Sequence, residues 1–174
     1  FRMYGTPQAA GREPRTPAGP HEGDLTANPA SLRPLETAHL DACVALDQRC
    51  LGGLWSSNQW TTELSESQRP GFGIWRGELL AAMACGWLIL EELHITLVAV
   101  DPEHRQQGLG RRVLEALLNE GRLRGAERAT LEVASGNQPA IRLYSRAGFK
   151  EAGCRRGYYR NGDDALIQWR KLSD

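Results

Sequence analysis

The sequence predicts a single α+β (mixed α/β) domain built on a mixed, mostly antiparallel sheet of about six to seven strands flanked by about four helices. Three observations predict it. Three β-type apolar runs follow one another between Gly71 and Val100; a helix-periodic stretch over 108–122 leads straight into another apolar run; and a further short helix precedes a last pair of strands.

The elements follow in order. Residues 1–30 are rich in Pro, Gly and Arg and lack apolar periodicity, so they are expected to form a flexible tail, or a vector-derived segment, ahead of one domain over 31–174. An Arg-bearing leader also suggests a transit peptide, but Glu13, Glu22 and Asp24 weaken that reading. A short strand near Ser31 and an amphipathic helix from about Glu36 to Arg49 open the domain. Ser56, with Gln59 three residues later, is a capping box that starts a second helix running to about Ser65, anchored by Trp55 and Trp60. Strands over Gly71–Arg76, Leu79–Leu90 and Leu93–Val100 make an antiparallel meander. The helix over Gly108–Arg122 lines Leu109, Val113, Leu114, Leu117 and Leu118 along one face, and with the strand Ala129–Ala134 it completes a parallel unit. A helix over Gln138–Arg146 and two strands turned at Asn161-Gly162 end the chain.

Composition narrows the function. The chain has 174 residues, and 21 Lys and Arg balance 21 Asp and Glu, which removes the broad positive field that sequence-independent nucleic-acid binding needs. Its longest apolar run, Leu79–Leu90, is interrupted by Gly86 and Trp87 and falls short of the roughly 20 residues of a membrane span. The cysteines at 43, 50, 85 and 154 form no C-x-x-C pair, so reduced thiols, no metal and a cytoplasmic location are expected.

The most informative segment runs from Val98 to Arg112. A buried strand ends at Pro102, and a polar loop enters a helix through Gly108 and Gly110. The amides of that first turn, backed by the helix dipole, suit an anion such as a pyrophosphate, and Arg105, Arg111 and Arg112 add positive charge. Val113 stands where a third glycine of G-x-G-x-x-G would fall, and no Gly-Lys-Ser/Thr follows; both nucleotide-binding alternatives drop.

Val100-Asp101-Pro102 followed by Arg105-x-x-Gly108-x-Gly110 resembles the acetyl-coenzyme A signature of the GNAT superfamily. The likeness runs from Ser31 to Leu172 and is greatest to the ribosomal-protein-alanine N-acetyltransferases (RimI type). It is carried by Leu51 to Trp60, by Leu131-Glu132-Val133 with Asn137 to Tyr144 and Gly148-Phe149, and by Arg155-Arg156-Gly157-Tyr158-Tyr159 with Asp164-Ala165-Leu166-Ile167. Two departures stand out: Ala134 where the family often has Arg, and Gly52-Gly53-Leu54 where an aromatic residue and Pro often precede Trp55.

The resemblance implies a GNAT fold and a transfer of acetyl from acetyl-CoA to the N-terminus of a protein, the alanine of a small-subunit ribosomal protein. It places the general base on Glu132 and the general acid on Tyr144. Coenzyme contacts are expected from Val98, Ala99, Val100, Arg105, Gln106, Gln107, Gly108, Leu109, Gly110, Arg111, Arg112, Asn137, Ile141 and Tyr144, and peptide contacts from Trp55, Tyr158 and Tyr159. Asn137 also reads as a simple helix N-cap, Tyr158 and Tyr159 as strand aromatics, and His94 with Glu92 as a second base held in reserve. An α-amino group titrates near about 8 and lysine near about 10.4, which makes the former the easier amine to deprotonate. Transfer to lysine or a small amine, and a non-catalytic acyl-CoA-binding module, remain alternatives.

Overall fold

The computed structural model describes residues 30–173. The expected tail over 1–30 lies outside them apart from Ala30, which already belongs to the first strand. The strands are β1 (Ala30–Pro34), β2 (Gly71–Arg76), β3 (Leu79–Ile89), β4 (Glu92–Val100), β5 (Arg128–Ala134), β6 (Lys150–Arg155) and β7 (Ala165–Lys171). The helices are α1 (Leu40–Leu51), α2 (Ser57–Ser65), α3 (Leu109–Leu123) and α4 (Gln138–Arg146).

Local chemistry explains most boundaries. At α2, the Gln59 amide donates to Ser56 Oγ at 3.1 Å and the Ser56 amide to Gln59 Oε1 at 2.7 Å, the reciprocal capping read from the sequence. The first helix starts later than expected because Thr37–His39 tightens into a 3-10 turn, closed by the Glu36 amide donating to His39 Nδ1 at 2.9 Å. The tight turn expected at Asn161-Gly162 is a longer connection over 156–164. Side-chain bonds hold it open: Asp164 accepts from the Gly157 amide at 2.8 Å and donates its own amide to Ser135 Oγ at 3.1 Å. Tyr158 and Tyr159 therefore lie on a loop and not in a strand.

One seven-stranded sheet runs in the order β1-β2-β3-β4-β5-β7-β6, and only the β4–β5 pair is parallel. Helices α3 and α4 cover one face through Leu109, Val113, Leu114, Leu117 and Tyr144, packed on Ile74, Leu93, Ile95, Val98, Leu131 and Val133. Helices α1 and α2 cover the other through Leu46 and Trp60, packed on Trp75, Met83 and Leu97. No helix among the described residues is long and apolar enough to cross a membrane.

The feature that makes a site is a defect in this sheet. In β4, Ile95 pairs with Gly86 and Leu97 with Cys85, leaving Thr96 unopposed as a bulge. The extra residue flips the alternation, so that Leu93 and Ile95 before it, and Val98 and Val100 after it, all face α3 and α4. Pairing of β4 with β5 stops at the rung His94–Thr130, and above it the two strands part.

Candidate active site

Above that last rung, β4 presents main chain to the gap. The Val98 and Ala99 side chains are buried in opposite cores, which leaves only their backbone groups to offer to a ligand there. The Val100 carbonyl accepts from Cys50 Sγ at 3.2 Å. Asp101 then anchors the loop: its carboxylate accepts from the Glu103 amide and from Arg49 Nε, each at 2.9 Å. Burial pushes the Asp101 carboxyl up, but those two donors overcome it and hold the net value below the usual range.

Beyond the loop's 3-10 turn, Gln106 adopts φ 64° and Gly108 φ 75°. A left-handed non-glycine residue costs on the order of 1 kcal/mol, so Gln106 is held there by its surroundings. Apart from Gly108 and its chain neighbours, no atom of the described residues lies within 4 Å of where a Gly108 Cβ would sit, whereas a Gly110 Cβ would stand 3.3 Å from Val100 Cγ2. Gly108 thus leaves open space beside the turn, and Gly110 lets α3 approach β4, a packing role beside the ligand approach expected of it. The helical ladder begins with the Arg112 amide on the Gly108 carbonyl at 3.2 Å, which leaves the preceding amides outside it. The turn therefore fits a diphosphate.

The other predicted coenzyme residues divide. Leu109 is core, so only its amide can serve, and Ile141 packs at the edge of the same core. Gln107 Oε1 accepts from Arg76 at 2.7 Å, and Arg111 is drawn along the helix to Glu115 at 2.9 Å. Arg112 is exposed, and Arg105 is near enough to Cys50 to offset part of the rise that burial gives that thiol. Asn137 does cap α4, accepting from the Ala140 amide at 3.3 Å.

Glu132 projects from β5 on the face opposite Leu131 and Val133, and is 4% exposed. Its Oε1 lies 3.5 Å from Arg155 Nε, and its Oε2 accepts no hydrogen bond from the described residues. Burial raises its pKa, only partly offset by Arg155 and His94. His94 occupies the last rung below the gap, with Nδ1 2.9 Å from Thr130 Oγ1 and Nε2 3.9 Å from Glu92 Oε1. Tyr144 is fully buried on α4, edge-on to Phe149 at 5.8 Å.

Tyr159 lies near enough to Glu132 to feel its charge. Burial, with the Glu132 charge and then Tyr158, pushes its phenol up to about 12. Tyr158 is 38% exposed and stacks edge-on to Tyr159 at 5.3 Å, with the Arg155 guanidinium 5.7 Å above its ring. Glu132, Arg155 and Tyr159 are thus gathered. Trp55 is placed differently: it is 7% exposed and packs edge-on to Trp60 at 4.7 Å in the core, which leaves little of its ring for a peptide.

None of the cysteines is poised as a nucleophile. Burial pushes Cys43 up to about 12, Cys50 to about 11 and Cys85 well above its usual range, and Cys154 is raised too. Among the described residues no group of three or more His, Cys, Asp or Glu is placed to hold a metal ion. Residue reasoning missed the bulge at Thr96, the strained Gln106, and Asp47, a buried carboxylate on α1. The last had a signal, since Asp47 follows Leu46 on the apolar face and precedes a Gly-Gly pair.

The parted β4–β5 pair, with a turn at the head of α3 on one side and a buried carboxylate on the other, is the architecture of an acyltransferase. The model of the Acetyltransferase (GNAT) family matches residues 38–149, and the chain belongs to that family. It is 36% identical over 140 residues to the ribosomal protein bS18-alanine N-acetyltransferase of Escherichia coli (strain K12), covering 79% of this chain and 94% of that one. The crystal structure of the ribosomal-protein-S18-alanine N-acetyltransferase from Escherichia coli superposes with a TM-score of 0.77 at 34% identity, over 83% of this chain and 95% of that one. Arabidopsis thaliana NAA60 in complex with acetyl-CoA shares the fold, with a TM-score of 0.75 at 16% identity over 82% of this chain and 98% of that one.

Proposed function

We propose that this enzyme transfers acetyl from acetyl-CoA directly to the α-amino group of a protein N-terminus, with the terminal alanine of a small-subunit ribosomal protein as its natural acceptor. The carrying observation is Glu132: a buried carboxylate of raised pKa beside the strand gap, with one oxygen free to accept a proton. Acetyl-CoA supplies the thioester, its diphosphate on the turn over 105–112 and its pantetheine along the main chain of Val98 and Val100.

Glu132, directly or through a water, takes the proton of the incoming ammonium. The amine lone pair attacks the thioester carbonyl, the C–S bond breaks as the Tyr144 phenol protonates the departing thiolate, and the nitrogen passes its surplus proton to the resulting phenolate, directly or through water, as the amide forms. Tyr158 and Tyr159 flank the peptide's first residues. The names of the relatives support alanine as the first acceptor to try.

The test is acetyl transfer to peptides beginning with Ala, Ser, Met or Gly, set beside an N-blocked lysine peptide. Turnover of the Ala peptide at least tenfold faster than of the lysine peptide is expected. The reverse order would replace the α-amine reading with a lysine one.

A further inference from the structure

Asp47 lies near the end of α1 and is 1% exposed, a costly place for a carboxylate. Three N–H groups surround it. The Leu54 amide donates to Oδ1 at 2.8 Å, and the Trp55 amide and the Trp60 indole donate to Oδ2 at 3.1 and 2.9 Å. All three donors belong to the α1–α2 connection or to α2. The chain can fold back to reach them because Gly52 and Gly53 take φ 68° and 87°.

The same turn of α1 is fastened to the donor side of the gap. Arg49 binds Asp101 at 2.9 Å and the Leu80 carbonyl at 3.2 Å, and Cys50 binds the Val100 carbonyl at 3.2 Å. These bonds put the connection over 52–56 at the C-terminal end of β4. The Tyr158–Tyr159 loop sits at the corresponding end of β5, tied there by the Ser135 amide on the Asp164 carbonyl at 2.9 Å and the Asp164 amide on Ser135 Oγ at 3.1 Å. Two loops thus flank the gap, the α1–α2 connection at the end of β4 and the β6–β7 connection at the end of β5.

We infer that Asp47 is a positioning residue for the acceptor: by gripping Leu54 and Trp55 it fixes the 52–56 loop as the wall facing Tyr158 and Tyr159. A carboxylate suits this task because both oxygens accept. An asparagine amide would turn a donor toward one of the N–H groups. The inference rests on the proposed peptide acceptor, and it makes Asp47 act through the loop without touching the reactants.

The test compares wild type with Asp47→Asn by two readouts. In steady-state kinetics with an Ala-starting peptide, KM for the peptide is expected to rise about tenfold or more while KM for acetyl-CoA and kcat stay within about threefold. In amide hydrogen exchange, Leu54 and Trp55 are expected to lose protection by about a hundredfold while β3 and β4 keep theirs. Unchanged exchange at those two amides, or a KM for acetyl-CoA that rises in step with that for the peptide, overturns the proposal. A wild-type enzyme that acetylates no peptide sinks the acceptor reading instead, and exchange still decides what Asp47 holds. Should Asp47→Asn not fold, Asp47→Glu carries both measurements, since it keeps two acceptor oxygens but displaces them, and the same outcomes apply.

Discussion

At the scale of single residues, the proposed chemistry turns on how Glu132 is shielded. Replacing it with Gln removes the proton acceptor, so kcat is expected to fall by about a hundredfold or more with acetyl-CoA affinity nearly unchanged, as steady-state kinetics and calorimetry would read. Because burial raises the Glu132 pKa and Arg155 lowers it, Arg155→Ala should raise it further. The base is active only when deprotonated, so the acidic limb of the kcat/KM profile is expected to move to higher pH; no movement, or one to lower pH, would remove Arg155 from that role. Tyr144→Phe should lower kcat and leave KM for acetyl-CoA close to wild type. Glu132 and Tyr144 were legible as candidates because each sits in a motif that resembles a family's. Trp55 was less so: an aromatic residue before a helix looks the same whether it touches a ligand or fills a core, and only the fold buries it against Trp60.

At the scale of elements, the turn into α3 depends on backbone shape. Gly108 is left-handed with open space beside it, so Gly108→Glu adds a strained conformation and a negative charge where the diphosphate is expected; calorimetry with acetyl-CoA should show no binding. Gly110→Val would crowd Val100 and Leu143 and is expected to cost roughly 1–3 kcal/mol, read as a Tm lowered by several degrees. Nearly every helix and strand could be read from apolar spacing and caps, as at Ser56 and Gln59. The Thr96 bulge could not, since one inserted residue leaves a β-type run looking like a β-type run. Nor could the long β6–β7 connection, because Asp164 and Ser135, which hold it, are 29 residues apart.

At the scale of the whole molecule, one buried acid adds a distinct pH dependence to stability. Glu63 on α2 is buried and pairs with Arg69 at 3.1 Å, yet burial outweighs the pairing and pushes its carboxyl up to about 7. The unfolded chain releases that proton near the ordinary value of 4.5, so between there and about 7 the folded state binds more protons, and its stability falls as pH rises. Glu63→Gln, which cannot ionise, should therefore melt above wild type at pH 8 and draw level with it near pH 5; a lower Tm for Glu63→Gln at pH 8 would mean that the ion pair outweighs burial. The parting of β4 and β5 has a kinetic corollary. An opening bordered by the turn proposed to hold the coenzyme at the end of one strand and by a buried carboxylate on the other suits two reactants present together, and burial holds the Cys43, Cys50 and Cys85 thiols in a form unsuited to storing an acyl group between them. Initial rates measured against one reactant at several fixed levels of the other should trace lines that intersect, the mark of a ternary complex, and not the parallel family of a ping-pong cycle.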